Sequence, residues 1–202
     1  FQLACLAGDA GAVARLRERK HRPHKAFALM AASLDDVRRC CALTPEHEAL
    51  LLSPEKPIVL CPRRPSGTAV EVAANVAPDV DSLGFMLPYT PLHLALFREL
   101  ARVCGGASPL LVMTSANTGG EPLCLGNREA LRRLAGIADA WLLYDRDILV
   151  RVDDSVAGIM PHPSEEAGAS ARGAAPFFHR RARGYVPRPV FLRDSVTPPI
   201  LG

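Results

Sequence analysis

Aromatic residues are scarce in this sequence, at 5% of 202 residues, with a single Trp. Proteins that grip single-stranded nucleic acid stack bases on rows of exposed rings, so the composition disfavours that class. No apolar run approaches the length that crosses a bilayer, and no charged leader with a cleavage site stands at the start. We therefore predict a cytoplasmic protein without a membrane segment.

Cysteine spacing excludes the common metal and redox motifs. The six cysteines form no Cys-x-x-Cys pair and no set with the spacing of a zinc site. Most of them stand in apolar segments, where a reduced thiol behaves as a small hydrophobe. A chain of this length buries enough apolar surface to fold without disulfides. We interpret the cysteines as free thiols and predict no metal site built from protein ligands.

Positive charge is concentrated in two places, although the net charge is only +3. Six cations lie between Arg15 and Lys25, and a second basic group contains Arg180, Arg181, Arg183 and Arg188. Basic patches favour anionic partners such as nucleotides and RNA. A solvated helix face is the alternative, and we prefer it for three of these residues, Arg15, Arg17 and Arg19.

Helix starts alternate with apolar runs, which predicts an α/β fold with a mixed sheet. Helix caps are predicted at Asp9, Ser33, Thr44, Thr90 and Asn127. The helix after Thr90 should bury Leu92, Leu96, Leu100 and Val103. Strands are predicted at 27–30, 57–61, 83–87, 109–113, 141–144, 148–152 and 155–160. Residues 163–175 are predicted to form a mobile loop, and the prolines from Pro187 onward predict a domain at 1–186 with an extension at 187–202.

Two short clusters carry most of the functional signal: KHRPHK at 20–25 and TSANTGG at 114–120. The first places three cations around a proline, and the second follows an apolar strand and ends in glycines that permit close backbone approach. Cations and exposed amides together suit a small molecule that carries phosphate. Taken singly, Lys20 and Arg22 are also consistent with solvated cations at a helix end, and Ser115 and Asn117 with a turn.

Five motifs in order resemble a known family. Lys20-x-Arg22 before the strand at 27–30, followed by the TSAN sequence at 114–117, resembles the YrdC-like domain. Three further stretches, LPYTPLH at 87–93, RVDDSV at 151–156 and RRARGYVP at 180–187, resemble the YrdC-like module of hydrogenase maturation carbamoyltransferases, the HypF family. The resemblance extends over about residues 1–200.

The resemblance implies a twisted α/β sheet around a wide, basic concave surface. It implies that ATP, with Mg²⁺ on its phosphates, and carbamate derived from carbamoyl phosphate give carbamoyl adenylate. The carbamoyl group then passes to a cysteine of a partner protein and becomes the cyanide ligand of nickel–iron hydrogenase. The implied catalytic residues are Lys20 and Arg22. The implied nucleotide-binding residues are Lys25, Thr114, Ser115, Asn117, Arg151, Ser155 and Arg183, of which Ser155 and Arg183 would close the far wall.

Family members also carry a glycine-rich strand and a helix upstream and a transferase domain downstream, so activity of these 202 residues alone is not implied. Three other functions stay open: threonylcarbamoyl-adenylate synthesis for tRNA modification, an antibiotic O-carbamoyltransferase module, and non-catalytic binding of double-stranded RNA. Relatives of the first kind typically carry Arg near Met86, where this sequence has LGFMLPYTP, and this difference favours the carbamoyltransferase branch. Asp153 and Asp154 are interpreted as turn or salt-bridge residues, because adjacent side chains on a strand point to opposite faces.

Overall fold

One seven-stranded sheet organises the chain. The structure, a computed structural model, describes residues 2–64, 72–160 and 175–190. Its strands and helices there are β1 (Gln2–Leu6), α1 (Ala10–Arg19), β2 (Leu29–Met30), α2 (Leu34–Cys40), α3 (Pro45–Leu52), β3 (Ile58–Pro62), β4 (Ser82–Met86), α4 (Pro91–Val103), β5 (Leu111–Ser115), α5 (Asn127–Arg133), β6 (Val156–Met160) and β7 (Ala175–Arg180). Within these ranges, every helix is too short or too polar to cross a membrane.

The strand order is β1-β5-β2-β4-β3-β6-β7. β2 and β4 are parallel, as are β3 and β6, whereas the other four neighbouring pairs are antiparallel. This arrangement confirms the predicted mixed α/β sheet. It also sets β5 beside β1 and β2, so the loop after β5 lies close to the first third of the chain.

Apolar side chains pack on both faces of the sheet. Because successive side chains of a strand point to opposite faces, Leu29 and Phe85 join one cluster while Met30 and Met86 join the other. The larger cluster includes Val13, Val37 and Leu51 from the first three helices. The smaller one contains Phe97 from α4 and Leu111 and Met113 from β5. The sheet is therefore covered on both faces, and polar groups concentrate where strands end.

Most helix starts follow the predicted capping chemistry. The Asp9 carboxylate accepts a hydrogen bond from the Ala12 amide, and Ser33 and Asp36 cap each other reciprocally. The predicted cap at Asn127 is wrong: Gly126 is the cap, and the Asn127 side chain donates instead to the Tyr144 carbonyl at 2.8 Å. The buried face of α4 is also offset by one residue from the prediction, because His93 and Phe97 point inward while Val103 is 67% exposed.

The strands predicted at 141–144 and 148–152 are wrong. Both stretches are irregular, and Leu142 and Leu149 are exposed. Apolar composition favours a strand but does not by itself form one, because β-propensity depends strongly on tertiary context. Conversely, β1 and β7 lie where no strand was predicted. Residues 163–174 of the predicted loop lie outside the described residues, as do residues 191–202 of the predicted extension.

Candidate functional site

Lys20 ties the end of α1 to the loop that follows β5. Its side chain is buried, and its Nζ donates to the carbonyl oxygens of Ser115 at 2.7 Å and Asn117 at 2.5 Å, and to Asn117 Oδ1 at 2.8 Å. An ammonium group has three donors, so all of them are engaged. The two sequence clusters therefore meet in one place, through contacts between residues 95 and 97 positions apart.

The loop after β5 is itself hydrogen-bonded. Ser115 Oγ donates to Asn117 Oδ1 at 2.6 Å, and Asn117 Nδ2 donates to the Glu121 carbonyl at 2.5 Å. A Cβ atom on Gly119 would stand 3.2 Å from the Lys20 carbonyl oxygen. The glycine thus permits the loop to lie directly against the end of α1, which is a close approach of backbone to backbone.

Arg22 belongs to the first basic group of the sequence and lies near Arg180 of the second. Its Nη2 donates to the Ala26 carbonyl at 2.8 Å, and its guanidinium lies 5.2 Å from the centre of the Phe27 ring. Burial lowers the pKa of Arg22, and the positive charges of Arg17 and Arg180 lower it further. Arg180 at the end of β7 therefore lies near enough to Arg22 for their charges to repel each other. Lys25 is exposed.

Burial is the main cause that lowers the pKa of Lys20 to about 8, and Arg22 adds to the effect. At neutral pH the amine is still protonated and can donate three hydrogen bonds. Above pH 8 it loses both its charge and one donor. The connection between α1 and the loop after β5 is consequently sensitive to mildly alkaline pH.

Ser155 and Arg183 stand in a second polar cluster, where both are held by the protein. The Arg183 guanidinium donates to Asp154 Oδ1 at 2.7 Å and to the carbonyls of Glu55 at 3.0 Å and Lys56 at 2.8 Å. It also stacks 3.6 Å from the centre of the Tyr89 ring. Ser155 is fully buried; its Oγ donates to the Arg183 carbonyl and accepts from the Ala182 amide. These contacts use three of the five N–H donors of Arg183, and both hydrogen bonds of the Ser155 hydroxyl go to backbone groups; the role of the two residues in a far wall stays a prediction.

A chain of side-chain hydrogen bonds extends from Asp154 to His93. The Tyr89 hydroxyl donates to the Asp154 carboxylate at 3.4 Å, Gln2 Nε2 donates to Tyr89 at 3.1 Å, and His93 Nε2 lies 2.9 Å from Gln2 Oε1. Because a carboxylate only accepts, these directions assign the proton of neutral His93 to Nε2. Burial lowers the pKa of His93 to about 4, so the ring is neutral at pH 7.

This series of hydrogen bonds connects the Asp154–Arg183 cluster to the loop after β5, since Gln2 is the register partner of Ser115 across β1 and β5. Sequence reasoning missed Gln2 and Tyr89 as site-supporting residues. The LPYTPLH stretch was the available signal, because it contains both Tyr89 and His93 four residues apart.

Thr114 and Arg151 border the loop after β5. Thr114 is buried within β5, opposite Leu3 of β1. Arg151 is exposed; its Nε donates to the Leu123 carbonyl at 2.8 Å, and its Nη2 lies 3.6 Å from Glu129. A cavity of about 640 Å³ lies beside β1 and residues 138–143; Gln2, His93 and Ala116 line it, but none of the predicted site residues does. The predicted site stays a prediction, and its residues around Lys20 and Asn117 are the ones that the fold brings into contact.

Comparison with known proteins gives relatives of two kinds. Carbamoyltransferase HypF2 from Cupriavidus necator is 49% identical over an alignment of 202 positions, which covers 96% of this chain and 24% of that protein. The crystal structure of full-length HypF in the phosphate- and nucleotide-bound form is 42% identical, with a TM-score of 0.79 over 98% of this chain and 28% of that one. The chain spans about a quarter of the length of the curated relatives it matches.

The fold is shared more widely. P. abyssi Sua5 complexed with L-threonine superposes with a TM-score of 0.68 over 90% of this chain and 47% of that one, at 19% identity. A profile of the Sua5/YciO/YrdC family, described as "Telomere recombination", matches residues 1–166. This match covers most of the chain, and the seven-stranded mixed sheet agrees with the solved structures. The chain belongs to the Sua5/YciO/YrdC family.

Proposed function

We propose that this chain is the ATP-binding, carbamoyl-adenylate-forming module of a carbamoyltransferase that acts in hydrogenase maturation. The observation that supports this most directly is the Lys20 bridge, which joins the 20–25 cations to the loop containing Ser115 and Asn117. The HypF relatives, one of them a structure with bound phosphate and nucleotide, support the same assignment.

In the proposed reaction, an oxygen of carbamate attacks the α-phosphorus of ATP. The bond from that phosphorus to the bridging oxygen breaks, pyrophosphate leaves, and carbamoyl adenylate forms. Negative charge gathers on the phosphate oxygens in the transition state, and fixed cations and amides stabilise it without a protein nucleophile. The protein's task is therefore to position charge.

We assign each residue a role according to the hydrogen bonds that its side chain makes within the protein. Arg22 and Lys25 are proposed to hold the phosphates and the carbamoyl oxygens, Arg22 in bidentate fashion. Lys20 contributes charge and fixes the loop whose Ser115 and Asn117 face the adenylate. Thr114 and Arg151 support that loop from β5 and from the segment before β6. Ser155 and Arg183 are proposed to position the turn that follows β7, because their polar groups already bind backbone and Asp154.

Mg²⁺ is proposed to accompany the nucleotide on its phosphate oxygens and water. Among the residues that the structure describes, no three His, Cys, Asp or Glu side chains gather into a metal-binding group. Four further points are proposals for the longer protein. They are the passage of the carbamoyl group to a partner cysteine, the supply of carbamate from carbamoyl phosphate, the domain boundary between residues 186 and 187, and a cytoplasmic location. Binding of RNA remains an untested prediction.

ATP–pyrophosphate exchange tests the proposal. The chain, extended at both ends by the segments that family members carry there, is incubated with ATP, Mg²⁺ and labelled pyrophosphate, with ammonium bicarbonate as the source of carbamate and, separately, with carbamoyl phosphate. We expect label to enter ATP only when carbamate is supplied. Threonine plus bicarbonate serves as the competing acceptor pair, and exchange that requires threonine would instead support threonylcarbamoyl-adenylate synthesis. Absence of both exchange and ATP binding would contradict the proposed function.

The lowered pKa of Lys20 gives a pH prediction. Below pH 8 the protonated amine supplies charge beside the phosphates, so ATP affinity should be highest there and fall as the pH rises through about 8. Calorimetric titration with ATP at pH values from 6.5 to 9.5 measures the effect. The Lys20→Arg variant, whose charge persists throughout this range, is the control and should show a flat profile. A wild-type profile as flat as that of the variant would refute the role of Lys20.

A further inference from the structure

Arg17 stands on α1, and its guanidinium lies beneath the 20–25 loop rather than in solvent. Its residue is 9% exposed, so the prediction of a solvated position for Arg17 is wrong. The side chain donates to five backbone carbonyls: those of Arg22 at 2.8 Å, Pro23 at 3.2 Å, Lys25 at 3.0 Å, Asn75 at 2.6 Å and Val76 at 3.1 Å. Three of these carbonyls belong to the loop, and two belong to the short turn at 74–76.

The partners of Arg17 are neutral. All its hydrogen bonds within the described ranges go to backbone carbonyls, and burial lowers its pKa. A buried cation is tolerated when it is well hydrogen-bonded, and here each of the three guanidinium nitrogens donates to at least one carbonyl oxygen. The positive charge is therefore not cancelled by a carboxylate, and its repulsion contributes to the lowered pKa of Arg22.

Arg17 and Arg22 are joined by two reciprocal hydrogen bonds. The Arg22 amide donates to the Arg17 carbonyl at 2.9 Å, while the Arg17 side chain donates to the Arg22 carbonyl. Beyond Pro23, the Phe27 amide donates to the Val76 carbonyl at 2.9 Å, which also accepts from Arg17. The Phe27 ring lies 4.6 Å from the Arg17 guanidinium and 5.2 Å from that of Arg22.

From this geometry we infer that Arg17 is a positioning residue for the anion-binding loop. It turns three loop carbonyls inward, away from the ligand, and sets a second positive charge beneath Arg22 and Lys25. The inference rests on the proposed function, since it assigns the loop to phosphate. Lysine cannot replace Arg17, because a compact ammonium with three donors cannot reach carbonyls spread over two segments.

The test compares Arg17→Lys with Arg15→Lys, an exposed position on the same helix. Both variants keep the net charge. Two quantities are measured: the affinity for ATP, and hydrogen exchange of the Arg22 and Phe27 amides, read by NMR in the absence of nucleotide. For Arg17→Lys we expect at least tenfold weaker ATP binding and at least tenfold faster exchange at these two amides, with the Val13 and Leu16 amides of α1 still protected. Arg15→Lys should match the wild type in both.

Two outcomes would overturn the inference: unchanged exchange at Arg22 and Phe27 in Arg17→Lys, or faster exchange with undiminished ATP affinity. Loss of protection throughout α1 would also overturn it, since Arg17 would then serve the fold as a whole. If the wild-type chain fails to bind ATP, the proposed function fails by itself. The amide exchange rates still decide whether Arg17 orders the loop.

Discussion

Replacing Lys20 with methionine should lower ATP–pyrophosphate exchange by on the order of a hundredfold, the size of effect seen when one fixed donor at a developing charge is removed. Methionine preserves most of the apolar length of lysine but removes the charge and all three hydrogen bonds to Ser115 and Asn117. The loop after β5 then loses its tie to α1. The free energy of unfolding should also fall by about 1–3 kcal/mol, because buried oxygens are left without donors.

Lys56→Met is the matched control. Lys56 Nζ also donates to two carbonyls, those of Leu51 and Leu52, both at 3.2 Å, but it stands at the end of α3. The control variant should retain exchange within twofold of the wild type. Exchange is compared at a temperature where circular dichroism shows each variant folded. Equal loss of ATP–pyrophosphate exchange in Lys20→Met and Lys56→Met would contradict the role of Lys20 in the proposed site.

Replacing Arg183 with methionine should lower the free energy of unfolding by about 3 kcal/mol, the lower end of the cost of breaking a buried ion pair by removing one partner, because this pair is partly buried. Arg183 and Asp154 are 2.7 Å apart, and both side chains are 16% exposed. The change also leaves the carbonyls of Glu55 and Lys56 without their hydrogen-bond donor and removes the stacking on Tyr89. Urea denaturation measures the loss.

Arg188→Met provides the comparison for Arg183→Met. Arg188 also forms a 2.7 Å pair, with Glu55, but its side chain is 69% exposed. Such a pair contributes about 1 kcal/mol or less, since water screens it. A cost for Arg183→Met no larger than that for Arg188→Met would show that the buried cluster does not hold the turn after β7. Asp154→Asn, which leaves the guanidinium without its charged partner, should reproduce most of the Arg183→Met effect.

Local signals predicted the helices well. The caps at Asp9, Ser33 and Thr90 depend on a side chain reaching an amide three residues away, and such chemistry is visible in sequence. Strand β1 was missed because its partner β5 lies more than a hundred residues away, whereas β7 pairs with the strand that precedes it, β6, and was missed because it begins where a mobile loop was predicted. The error at 141–144 is of a related kind, because strand-like composition does not decide whether a stretch pairs, and here the backbone is irregular.

The candidate site was predictable only in part. The meeting of Lys20 with Asn117 was reached through the family resemblance, because no periodicity connects residues so far apart. Arg17 could not be distinguished from Arg15 or Arg19 by composition, since only the tertiary fold decides which arginine of α1 points under the loop. Ser155 and Arg183 match the motif in sequence, but their hydrogen bond to each other and the pairing of Arg183 with Asp154 are visible only in the fold.

The strand order has a consequence for the folding of the chain. β1 and β5 are neighbours in the sheet although more than a hundred residues separate them, and the Lys20 bridge spans 95. Contacts this distant close large loops and form slowly compared with local ones. During synthesis, the basic cluster at 20–25 emerges from the ribosome long before the strand that completes it. Under the proposed function, the capacity to hold a nucleotide would be acquired late, and bound nucleotide would mark molecules whose sheet is fully assembled.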